Sequence, residues 1–136
     1  MTRIYFTLAT LSILNYCAGQ ESVLEKHESP NGRYTLEVVL GDRANPRDQY
    51  GLMFRLVDQE KNELDYIRTG ASDVMKWAVT WYNETTIVLD SHDIGSYGWV
   101  VNEKGKLVSV DNVERPMKDA AVEAFKKKYG DHGKQH

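Results

Sequence analysis

The chain has 136 residues, 41% of them hydrophobic and 27% charged, with a formal net charge of −3. That is enough chain for one buried core and too little to call for a second domain. The mildly acidic balance argues against a nucleic-acid partner, which calls for basic patches that neutralise phosphates. A single cysteine, Cys17, excludes an internal disulfide and any zinc or iron–sulfur centre built on several thiolates.

At the N-terminus Arg3 precedes an apolar run over residues 4–14, and small residues follow at Cys17-Ala18-Gly19. The run is shorter than the roughly 20 residues a membrane span needs. This pattern predicts a secretory signal over residues 1–19, cleaved near Gly19, so that the mature chain carries no thiol. A small exported domain without disulfides points to a bacterial envelope protein, periplasmic or extracellular. The stretch Leu14-Asn15-Tyr16-Cys17-Ala18-Gly19 also resembles a bacterial lipoprotein signal, although Tyr16 stands where such signals carry a small residue. The resemblance implies a lipid anchor on Cys17 as the alternative to plain cleavage.

Residues 20–29 are polar, with Val23 and Leu24 their only apolar side chains, and read as a lead-in or a short edge strand. Ser29-Pro30-Asn31-Gly32 is a turn: proline presets its φ and Asn-Gly tolerates a positive one. A strand over residues 33–40 follows, with Tyr34, Leu36, Val38 and Leu40 on one face. The run Ser29-Pro30-Asn31-Gly32-Arg33-Tyr34 resembles the S-P-D-G-K element that opens blades in TolB-type and related β-propellers. It occurs once, whereas a propeller repeats it every roughly 40–45 residues. What the resemblance implies here is a β-meander.

Residues 41–50 form the longest irregular connection, a solvated excursion or a binding loop. Strands are then expected over residues 52–57 and 64–68. The stretch 75–101 holds all three tryptophans. Within it Met75, Trp77, Val79 and Trp81 alternate with more polar residues, Asn83-Glu84-Thr85 turns the chain, and residues 86–89 return, which predicts a hairpin at the centre of the core. Asn83-Glu84-Thr85 also matches the N-glycosylation sequon. Two more strands are expected over residues 97–102 and 106–110. Pro116 then opens a helix with Met117, Ala120, Ala121, Ala124, Phe125 and Tyr129 on one face, and Gly130 stops it. No link between strands is long enough for a parallel crossover. The expected fold is therefore mainly β, an antiparallel β-meander of six or seven strands forming a curved sheet or a small sandwich or barrel. One C-terminal α-helix completes a single domain over residues 20–130, and residues 131–136 form a disordered tail.

Two candidate sites emerge. Asp90 and His92, two apart on a strand, would point to the same side with Asp93 next to them, a carboxylate–imidazole set suited to a divalent metal. His27, Asp48 or Asp73 could complete such a site. The alternative is that these side chains cap the turn before Gly95. The second candidate is a contact surface made of the 41–50 loop, with Arg43, Asn45, Arg47 and Asp48, and the 90–97 loop, with Tyr97; Tyr82 is the aromatic expected to be exposed. There is no P-loop, G-x-G-x-x-G, H-E-x-x-H or G-x-S-x-G sequence, and Ser91 and His92 would face opposite sides of a strand. The sequence thus favours an exported, non-enzymatic module that binds a protein or glycan, with no cofactor; an inhibitor- or immunity-type protein is one specific version of it. A small metal-binding protein or metal-dependent hydrolase centred on Asp90, His92 and Asp93 is the alternative.

Overall fold

A computed structural model of the chain describes residues 22–41, 45 and 50–130. The expected leader with Cys17, the loop residues Arg43, Arg47 and Asp48, and the tail 131–136 lie outside the described residues. The strands are β1 (Ser22–Glu28), β2 (Tyr34–Leu40), β3 (Gly51–Asp58), β4 (Glu63–Ser72), β5 (Trp77–Trp81), β6 (Thr86–Ser91), β7 (Gly95–Val101) and β8 (Leu107–Ser109), followed by helix α1 (Arg115–Tyr129). They form two four-stranded antiparallel meanders, sheet A in the order β1-β2-β3-β4 and sheet B in the order β5-β6-β7-β8, not closed into a barrel. The strand beyond the expected six or seven is β1, which pairs with β2 from Ser22↔Leu40 to Glu28↔Thr35. Its side chains are exposed or half-buried, so the backbone ladder holds it without the alternating apolar signal that reveals a strand in sequence.

The two sheets pack face to face. Leu36 and Val38 of β2, Phe54 and Leu56 of β3, and Ile87 and Leu89 of β6 are fully buried between them. Each comes from the inward set of its strand, as the pleat requires. Trp99 meets Phe54 edge-on with ring centroids 5.0 Å apart, an arrangement worth about 0.5–1.5 kcal/mol beyond the area it buries. Along one side β1 adjoins β5, where the Trp81 indole N–H donates to the His27 carbonyl (2.8 Å) and its ring stacks on Tyr34. Along the other side β4 adjoins β8, where Lys106 Nζ donates to the Leu64 carbonyl (2.6 Å) and the Leu107 N–H to the Asp65 carboxylate (2.7 Å).

Helix α1 begins with Pro in its first turn and ends at Gly130, whose φ is 83°. Met117, Ala121 and Phe125, one turn apart, are buried, and Met117 and Ala121 lie on the outer face of sheet B over Val88. The strand beneath makes room for them: a Cβ on Gly98 would stand 2.8 Å from Met117 Cε. From there the helix crosses to the free edge of β5, where Tyr129 reaches Trp77. The molecule is thus three layers deep on the sheet B side.

Candidate functional site

The ends of the sandwich are built differently. At one end lie four hairpin turns, and in each an Asn or Asp side chain accepts the backbone N–H two residues ahead. Asn31 takes that of Arg33, Asp58 that of Glu60, Asn83 that of Thr85 and Asn102 that of Lys104. This is Asx-turn chemistry, and one side chain also joins two of the turns, Gln59 Nε2 donating to the Gly32 carbonyl (3.2 Å). We refer to it as the turn end.

At the other end, the loop end, the connections β2–β3, β4–β5 and β6–β7 meet. Strand β4 bends across this end because it carries extra residues there: Met53 pairs with Arg68, but Gly51 pairs with Ser72. Gly70, at φ 87°, takes the left-handed conformation that the bulge needs. The hydroxyl of Thr69 replaces a missing rung, donating to the Leu52 carbonyl (2.8 Å) and accepting the Ala71 N–H (3.1 Å). Long-range bonds then tie the connections together. Asp93 accepts the Ser72 N–H (3.1 Å), the His92 N–H donates to the Lys76 carbonyl (3.0 Å), and the Asp73 N–H donates to the Tyr50 carbonyl (2.8 Å). The Asp73 carboxylate also accepts the Trp77 indole N–H (2.8 Å).

This geometry gives each expected site residue a place. Asp90 is buried and accepts the Ser96 hydroxyl (3.3 Å). His92, two residues on, is exposed on one side and stacks on Phe125 of α1 with ring centroids 4.8 Å apart. Asp93 instead turns to sheet A, where it holds Ser72. Among the described residues no group of three or more His, Cys, Asp or Glu side chains could hold a metal ion. Asp73 is engaged with Trp77, and His27 lies beside Trp81, toward the turn end. The contact residues are likewise divided. Asn45 belongs to the loop-end connection, Tyr82 to the β5–β6 turn at the opposite end, and Tyr97 lies along β7 beside Trp99.

Beside the exposed Asp73, Lys76, His92 and Asp93, the loop end presents three large apolar side chains. Tyr50, Val74 and Met75 are 49%, 70% and 43% exposed. They are neighbours, because Asp73 bonds to Tyr50 and the chain turns tightly over Ser72, whose hydroxyl accepts the Val74 N–H (3.1 Å). Sequence reasoning placed Met75 on a strand and passed over Val74. The available signal was two apolar residues directly after Ser72-Asp73, a pair of turn formers.

A second arrangement that the sequence did not reveal lies at the β1–β5 side. The Tyr129 hydroxyl accepts the Trp77 N–H (3.1 Å) and donates to the Trp77 carbonyl (3.0 Å). Beside it Lys128 Nζ lies 3.3 Å from the centre of the Trp77 ring and 2.7 Å from the Glu25 carboxylate, whose other oxygen is 2.8 Å from His27 Nε2. Burial pushes the Glu25 pKa up, but the hydrogen bonds and charges of His27 and Lys128 outweigh it and hold it below the ordinary value. Glu25, His27 and Lys128 border a groove of about 320 Å³. A shallow cleft of about 350 Å³ at the turn end is lined by residues of mixed charge, among them Arg33, Asp58, Glu103 and Lys104.

Comparison with protein families, with curated proteins and with solved structures finds no match to this chain.

Proposed function

We propose that the chain is an exported, non-enzymatic binding module that docks a protein partner through its loop end. The observation that carries this reading is the grouping of Tyr50, Val74 and Met75, large apolar side chains 43–70% exposed on a frame tied together by long-range hydrogen bonds. Exposed apolar side chains grouped on a rigid frame are what an interface core requires. Val and Met favour a protein over a glycan, since sugar rings are held against flat aromatic faces and two of these three side chains are not aromatic. Export rests on the residues 1–19 pattern, with the lipid on Cys17 as its tethered form. An inhibitor- or immunity-type role is the specific version of this reading.

The test is capture from envelope extract with the wild-type chain and with the double variant Val74→Asp, Met75→Asp as baits. Both positions are exposed, so the variant should keep its stability within about 0.5 kcal/mol. A stoichiometric partner retained by the wild type and lost by the variant supports the reading. Equal retention by both baits refutes docking at the loop end.

A further inference from the structure

Strand β5 is an edge strand, and an unpaired edge is a template for another chain. Its hydrogen-bonding phase is fixed at both ends: the Lys76 carbonyl accepts the His92 N–H, and the Tyr82 N–H donates to the Thr86 carbonyl. Even-numbered residues therefore bond to β6, and Trp77, Val79 and Trp81 turn their backbone groups to the free side. At Trp77 the Tyr129 hydroxyl fills both positions, imitating one rung of a partner strand. At Trp81 the Thr80 hydroxyl donates to the carbonyl (3.4 Å), and the indole is tied to β1. Val79 lies between them, 4% exposed with its side chain in the core, and among the described residues no hydrogen bond from outside sheet B closes on its N–H or C=O. It lines the groove of about 320 Å³ whose walls are Glu25 and His27 of β1 and Ala124, Lys127 and Lys128 of α1.

The charges around this open rung do not cancel. Lys128 is spent on Glu25. Lys127 is exposed and, among the described residues, has no ion-pair partner. An occupant that satisfies both features supplies an extended backbone to Val79 and a carboxylate to Lys127.

We propose that this groove is a second binding site, one that takes a short acidic segment of a protein in extended form, bridged to Val79 and neutralising Lys127. Recognition of this kind draws affinity from main-chain bonds and selectivity from the flanking charge. The Tyr129 hydroxyl limits it to a single rung by occupying the next one. The site is separate from the apolar loop end, and either can fail without the other.

The probes are two short blocked peptides, acetyl-Thr-Glu-Val-Glu-Thr-amide and its lysine counterpart, added to the isotope-labelled full chain and followed by amide NMR. The acidic peptide is expected to shift the Val79 and Thr80 amides and to slow hydrogen exchange at Val79. The lysine peptide should bind about tenfold more weakly, a difference of about 1.4 kcal/mol. Lys127→Glu, an exposed change that leaves the core untouched, should reverse this preference. Tyr129→Phe should extend the acidic peptide's effect to the Trp77 amide. Shifts confined to the helix lysines, equal shifts with both peptides, or no change at Val79 would each overturn the proposal.

Discussion

The turn end and the loop end have the same task, returning strands into the sheets, and accomplish it by opposite means. Each turn at the turn end is closed by a side chain that bonds two residues ahead. The loop end is closed by bonds that join residues far apart in the chain, Asp93 to Ser72 and His92 to Lys76. A turn closed by its own side chain depends less on its neighbours, and the turn end has fewer cross-links, Gln59 to Gly32 and Lys106 to Leu64. A mutually tied end behaves as one body, and for that reason it can hold exposed apolar side chains in fixed relation. Rigidity that comes from long-range contact is what an interface needs.

The largest expected effect tests whether the loop end leans on the helix. Phe125 is fully buried, packs under the His92 ring and touches the Tyr129 ring. Phe125→Ala should cost about 3–5 kcal/mol of stability, the usual range for an aromatic removed from a core. Chemical denaturation gives the magnitude and hydrogen exchange the distribution. Exchange should accelerate first at the amides of His92 and Trp77, while Arg33 and Lys104 at the turn end change only with global unfolding. If both ends loosen together, the ends are not independent bodies.

The same contrast explains how far the sequence could be read. The turn at Ser29-Pro30-Asn31-Gly32, the hairpin through Asn83 and the helix stop at Gly130 all appear where the residues predict, because their chemistry lies within a few positions. The alternation Trp77, Val79, Trp81 likewise revealed a buried face, and β6 pairs as expected. Nothing local, however, says that Asp93 reaches Ser72, that Asp73 holds the Trp77 indole, or that Tyr129 covers the β5 edge from 52 positions away. The two-residue spacing of Asp90 and His92 puts them on one side of β6, and Asp93 on the other. The fold sends Asp90 and His92 to the helix-covered side and Asp93 to sheet A.

A smaller effect sets one glycine at each end against the other. Gly70 and Gly105 have φ of 87° and 77°, where a side chain is strained. Gly70→Ala and Gly105→Ala should each cost about 1–2 kcal/mol from the backbone alone. A Cβ on Gly105 would touch Leu64 at 3.4 Å and one on Gly70 would meet Ile94 at 3.8 Å, so neither is blocked outright. The difference should lie in reach. Gly70→Ala strains the bulge that carries β4 across the loop end, so amide shifts should spread to Ser72, Asp93 and Val74. Those of Gly105→Ala should stop at its own hairpin and Leu64. Spread of equal extent from both would show that the turn end is as interdependent as the loop end.

The smallest effect tests whether a turn at the turn end is held by its own side chain. Asp58 accepts the N–H groups of Asn62 and Glu60 at 2.9 Å, and its pKa is lowered, chiefly by the Asn62 N–H, against an opposing contribution from desolvation. Hydrogen bonds to the charged form favour that form. A carboxylate whose folded pKa lies below its unfolded value stabilises the fold fully above the unfolded value, about 3.9 for aspartate. That contribution fades as pH falls through the lower folded value. Acid titration followed at the Glu60 and Asn62 amides should therefore show a midpoint below that of an ordinary aspartate. Asp58→Asn keeps an acceptor oxygen and should abolish the titration while leaving the turn in place. An ordinary midpoint would mean that the carboxylate is idle and that the hairpin, with Lys61 at φ 70°, is held by its backbone bonds alone.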